Sequence, residues 1–485
     1  ASPRLTWHAP ALDHLDRTDA VGDCARLLRA LDDAALELGT ADTGAVPVRG
    51  YPYLRNNRFL ADLRDRVTDE LSFQLWRAQL RDLDQGARTA EIANLPAATR
   101  TAIGAMPAAS EPLPAAVADC GVVMMAADAA RATPRADLLA AAVAPAPAYN
   151  RAARTLGAYP ISALLFLGGV QRLHRDTLAT FAVPLEALPV AGQLTHYAPA
   201  PDAASRLTPA AIREALQRAS DNALGMPLPA PAVQEQLFAT FAPHFIIDVA
   251  TDDDRIGTPL WQDHEAPDVD TTRPVVYRHL SHTRFDGEIL LQLNYVIWFP
   301  SRPRSGRFDL LGGRLDGITW RVTLDVDGTA LAWDSMHNCG CYHQLVLSER
   351  LRARAPPTGL QEPLLVVQSL PSVTQQVELR IASGTHYIQR ISPLTTAAAS
   401  HEYHWADYDA LRALPRSTGG RRSLFRPDGI VAGTERGERW LFWPMGVTEP
   451  GAMRQWGHHA TAFVGQRHFD DPELLERYSE RRSAQ

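Results

Sequence analysis

The chain has 485 residues, 46% of them hydrophobic, and a formal net charge of −7. That describes a globular protein with one large or two medium cores, and the acidic balance gives no basic footprint for nucleic acid or anionic lipid. Lysine is absent, so all 48 basic residues are arginine; pyridoxal Schiff bases, P-loops, kinase ATP clamps and serine–lysine nucleophile pairs each need an amine and are excluded.

In chain order, Ala1-Ser2-Pro3 opens without methionine, as expected of a chain from which an export signal or an expression tag has been removed. Residues 1–235 read as a helical region. Apolar residues recur at three- and four-residue spacing over 24–38, 57–83, 85–94, 113–130 and 135–143. Thr208 before Pro209 marks a capped helix start. The longest apolar stretch, 161–170, is far short of the roughly 18 residues a bilayer requires. Links rich in Pro and Ala follow at 144–148 and 227–231.

Near residue 240 the composition changes. Twelve of sixteen histidines lie at or beyond His244 and only Trp7 and Trp76 of the ten tryptophans precede it, so the metal-capable and aromatic side chains concentrate in the second half. Residues 236–400 read as a β-rich domain, with strands at 245–249, 275–278, 289–299, 318–324, 330–335, 341–347, 364–368 and 375–381. The Asp327-Gly328 step between two of them is a hairpin turn. From 401 to 485 the pattern is helical and irregular, with a helix start capped by Ser400, helical pattern over 405–414 and a surface helix at 473–480. The fold class is α+β: a helical N-terminal region packed on a mainly antiparallel β domain, covered by the C-terminal segment.

The densest chemistry is His-Asn-Cys-Gly-Cys-Tyr-His at 337–343. If extended, it aligns His337, Cys339, Cys341 and His343 on one face, since strand side chains alternate. Neighbouring members of this set are about 7 Å apart and can lean to one ion, whereas the ends would lie about 20 Å apart. A bend at Gly340 is required to gather three or four. The same residues support two other readings: a disulfide or buried thiols, with Cys339 and Cys341 joined to each other or to Cys24 and Cys120, or a thiolate nucleophile beside His337 or His343.

A second cluster holds His279, His282 and Glu288. Three-residue spacing lets both imidazoles share a ligand only if the chain turns after Val276, with Glu288 placed to orient a ligand or act as base. The segment His401-Glu402-Tyr403-His404 is one residue short of a zinc signature. His386 could add a ligand from another element, and His458, His459 and His468 read as ordinary hydrogen-bonding groups. Serine-elbow, dinucleotide, Cys-x-x-Cys and c-type haem motifs are missing.

These residues point to an exported, periplasmic or secreted metal-dependent enzyme. Its expected ligands are His279, His282, His337 and His343, with Glu288, Cys339 and Cys341 as catalytic groups. The divalent ion is expected to be zinc before copper or iron, and the reaction a zinc-assisted hydrolysis of a small molecule or neutral polymer. A copper or non-haem iron oxidoreductase, and a non-catalytic envelope or ligand-binding protein with disulfides, are the alternatives. No transmembrane segment and no nucleic acid partner are expected.

Overall fold

The computed structural model describes residues 7–8, 11–109, 112–129, 135–145, 148–201, 204–263, 265–355, 359–372, 376–394 and 400–482. Ala130, part of the 144–148 link, His264 and the first residue of the 375–381 strand fall outside them.

The N-terminal region is helical, as its periodicity requires. Helices α1 (Ala20–Glu37), α2 (Glu70–Asn94) and α3 (Leu113–Ala129) surround a short hairpin of Val46–Val48 and Tyr51–Asn56. Asp19 caps α1 by accepting the Gly22 N–H, and Asp69 and Ser72 form a reciprocal capping box on α2. Their inward faces bury Leu27, Leu28, Leu31, Trp76, Leu80 and Val117 in one core. A disulfide joins Cys24 on α1 to Cys120 on α3. The hairpin's Arg55 is buried against Asp84 and Glu91 of α2, as a charge withdrawn from water must be.

Among the helices that follow are α4 (Tyr159–Ala182), α5 (Pro209–Ala219) and α6 (Pro231–Thr240). Thr208 caps α5 through the Ala211 N–H, with Pro209 at the first position as the sequence predicts.

Eleven strands form one sheet. They are β1 (Gln193–Pro199), β2 (His244–Val249), β3 (Val275–Phe285), β4 (Glu288–Arg302), β5 (Gly313–Leu324), β6 (Ala330–His337), β7 (Gln344–Ser348), β8 (Leu365–Leu370), β9 (Val377–Ile381), β10 (Ile388–Pro393) and β11 (His401–Asp407). Their spatial order is β8-β7-β6-β5-β4-β3-β11-β1-β2-β9-β10. Strand β11 pairs in parallel with both β1 and β3, β2 with β9, and β7 with β8; the other pairings are antiparallel. The sheet thus extends beyond 236–400 at both ends, recruiting β1 and β11. The expected helix start at Ser400 is a strand instead. Its alternating Tyr403 and Trp405 suit a pleated surface.

The sheet curls until its two edge strands meet. Gln368 on β8 donates from Nε2 to Ile391 O on β10 at 2.7 Å and accepts the Ile391 N–H at 3.4 Å, so a side-chain amide replaces the missing backbone ladder across the seam. Helix α4 packs along both edge strands. Strand β4 shows the sheet's two burdens: Leu291, Leu293, Tyr295, Ile297 and Phe299 face the interior core, while Val296 and Trp298 face a second cluster with Tyr277, Leu315 and Cys339. Burial on both faces explains its near-continuous apolar run.

Candidate functional site

The 337–343 segment is the turn between β6 and β7, and Gly340 bends it. The Gly340 N–H donates to His337 O at 2.7 Å and the His337 N–H to Cys341 O at 3.0 Å. Gly340 has φ +90°, and a Cβ there would lie 2.6 Å from Ala460 O, so no other residue fits. The expected strand over 341–347 accordingly starts only at Gln344.

The bend brings the two thiols together. Cys339 and Cys341 are both free, and the Cys341 N–H lies 3.4 Å from Cys339 Sγ. Burial pushes the Cys339 thiol up, but the neighbouring Cys341 side chain and the nearby Arg436 charge outweigh it and hold it below the ordinary thiol value. Cys341 shifts the opposite way, well above the ordinary value, because the neighbouring Cys339 sulfur and its partial burial both favour the protonated thiol. Of the two sulfurs, Cys339 is therefore the one that ionises more readily.

Around the turn lies a buried charge network. His337 Nδ1 sits 3.3 Å from Asp316 Oδ1, and His386 Nδ1 lies 2.9 Å from Asp316 Oδ2 with its Nε2 3.4 Å from Asp254 Oδ1. Burial alone would raise Asp316; His337, Arg436 and His386 hold it well below the usual range. Burial opposes protonation of His386 as well, yet hydrogen bonds to Asp254 and Asp316 raise it. Arg302 lies against the rings of Tyr342 and Tyr387, whose centroids are 4.6 Å apart. Leu315, Tyr342 and His386 all have positive φ, between 50° and 58°. Such backbone costs a non-glycine residue about 1–3 kcal/mol.

His343 completes the turn. Its Nε2 lies 2.9 Å from Asp334 Oδ2, and Arg321 grips the same carboxylate. Asp334 is ionised and can only accept, so Nε2 carries the proton and Nδ1 is a buried acceptor with no partner among the described residues. Burial lowers His343 to about 4 and keeps it neutral.

Cys339, Cys341 and His343 open on a cavity of about 600 Å³ roofed by α4 through Phe166, Val170 and Leu173. Glu438, whose carboxyl burial pushes up to about 7 despite Arg436 and Arg302, also lines it. Gly451 has φ +80°, and a Cβ there would fall 1.9 Å from Glu438 Oε1, so its glycine makes room for this carboxyl.

The other expected site residues lie elsewhere. His279 and His282 sit in β3, which continues as a strand to Phe285 without the turn that joint chelation needs. Both border a separate cavity of about 290 Å³, where β11 no longer pairs with β3. His282 Nε2 lies 2.8 Å from Pro227 O, and burial lowers both histidines to about 4. Glu288 is exposed beside the β3–β4 turn, paired with Phe285, and borders neither cavity. The four expected ligands therefore share no cavity, and no group of three or more His, Cys, Asp or Glu among the described residues is placed to hold a metal ion. Asp316, Asp334, Tyr387 and Glu438 were not evident in the sequence. Only Asp334 left a signal, since the hairpin carries it close to His343.

No family model matches the chain, and no curated protein or solved structure is significantly similar to it.

Proposed function

We propose that the protein is a thiol–disulfide oxidoreductase whose Cys339–Cys341 pair works in the cavity beneath α4 on a small disulfide with apolar arms. The observation that carries this reading is the pair of free thiols brought together by the Gly340 bend, shifted in opposite directions and opening on that cavity.

The Cys339 thiolate attacks one sulfur of the substrate disulfide, forming a mixed disulfide and releasing the other sulfur as a thiolate. Cys341 then loses its proton to Glu438 and attacks Cys339 Sγ, closing the Cys339–Cys341 disulfide and releasing the second substrate thiolate. Two electrons pass from the protein to the substrate, which leaves as two thiolates. The one proton of the pair is left on Glu438, and the released thiolates take up protons from Glu438 and from solvent according to their own pKa values. Zinc-assisted hydrolysis through His279, His282, His337 and His343 draws less support, because those side chains border no common cavity. The Cys24–Cys120 disulfide supports an exported, oxidising setting.

The test is redox titration of the purified protein against glutathione, with mass analysis of the peptide containing 337–343. That peptide should lose two hydrogens reversibly, and Cys341→Ser should trap a mixed disulfide at Cys339. Thiols that alkylate slowly at every pH without interconverting would overturn the proposal, as would stoichiometric zinc that is lost in Cys339→Ser.

A further inference from the structure

Beside the cavity mouth, the first half of α4 turns an apolar face outward. Ile161, Leu164 and Leu165 are 68%, 62% and 78% exposed, and Leu156 just before the helix is also exposed. On the neighbouring helix α7 (Arg439–Phe442) and the turn after it, Trp440 is 73% exposed, with Leu441 and Trp443 also open to solvent. The two elements form one surface: Phe166 packs on Phe442 with centroids 5.0 Å apart, and Ala163 is buried against Met445. Leu165, Phe166 and Phe442 line the cavity as well, so the patch runs into the mouth without a polar break.

Along α4 the outward residues then change to Arg172 and Arg175, and Arg151 flanks the other end; all three are exposed and lack a carboxylate partner among the described residues. No helix among the described residues is long and apolar enough to cross a membrane. The arrangement instead fits a surface element: apolar side chains and tryptophan below, arginine collar at headgroup level. The collar is local, which is why the chain's net charge hides it.

We infer that this face docks on a lipid bilayer containing anionic headgroups, with the cavity mouth opening onto the lipid. A bilayer accounts for the arginine collar and for continuity of the patch with the mouth, whereas a second copy of the chain seated there would close the cavity. The inference stands apart from the thiol chemistry, since vesicle binding needs neither cysteine.

The experiment is co-sedimentation of the full chain with phosphatidylcholine vesicles, with and without phosphatidylglycerol, alongside sedimentation equilibrium without lipid. Binding should be stronger with phosphatidylglycerol and fall with added salt. The double variant Ile161→Ser, Leu164→Ser, whose side chains lie outside the cavity lining, should bind at least roughly tenfold more weakly while keeping its thermal unfolding and its thiol interconversion. Protein left in the supernatant with both vesicle types would overturn the inference, as would unchanged binding by a folded variant. A dimer in free solution that the same variant abolishes would also overturn it and make a second copy the occupant.

Discussion

Glu438 lines the same cavity as the two cysteines, with a carboxyl raised to about 7 from an ordinary 4.5, and its protonation has a consequence for stability with a definite sign. The folded state holds this proton more tightly than the unfolded chain does. The stabilisation is therefore complete below the ordinary value and is lost as pH rises through about 7, amounting to on the order of 1–3 kcal/mol. Urea unfolding of Glu438→Gln at pH 5 and pH 8 should show a flatter pH dependence than the parent chain; equal dependence would remove Glu438 as the titrating group. In the proposed exchange, the same substitution should slow closure of the Cys339–Cys341 disulfide by roughly 10²-fold, since Cys341 then lacks its base. At Gly340, alanine should cost about 1–3 kcal/mol, from positive φ and the approach of Ala460 O, measurable as a lower denaturation midpoint. The sequence marked this turn and posed the bend at Gly340 as its deciding question. It did not show that His337 and His343 are engaged by Asp316 and Asp334: a carboxylate's partner is set by strand register, and Asp316 comes from a different strand.

Elements with a single buried face were readable, while those serving two environments were not. Thr208 and Pro209 announce α5 because caps are local chemistry. Helix α4 is apolar toward the cavity and apolar toward solvent, so 161–170 shows no amphipathic period and reads in the sequence only as an apolar run. Strand β11 lies parallel between β1 and β3, partners more than a hundred residues away, and its histidines and Glu402 imitate a helix start. The seam between β8 and β10 was equally invisible, because one glutamine side chain closes it. Gln368→Ala should remove both bonds to Ile391 and cost about 1–2 kcal/mol. Hydrogen exchange at the Ile391 amide should accelerate locally, while amides in the middle of β4 keep their protection. Uniform acceleration across the sheet would mean that the seam is part of global unfolding rather than a separable closure.

At the scale of the whole molecule, the cysteines divide into two pairs with opposite duties, although four cysteines alone permit three pairings. Helices α1 and α3 bring Cys24 and Cys120 together across 96 residues, and the β6–β7 turn holds Cys339 and Cys341 two residues apart. A cross-link closing so long a loop restricts the unfolded chain strongly, so Cys24→Ala, Cys120→Ala should lower unfolding free energy by about 2–5 kcal/mol. Closing Cys339 to Cys341 spans a loop too short for comparable restriction and should change stability little. A reductant series should thus resolve two steps: the Cys339–Cys341 pair opening under mild conditions without loss of tertiary structure, and Cys24–Cys120 opening only at more negative potential, with destabilisation. Near-ultraviolet circular dichroism and thiol counting on one sample follow both steps. If both pairs reduced together, or if reducing the turn pair unfolded the chain, Cys339 and Cys341 would be structural cysteines and their apposition would lose its functional meaning.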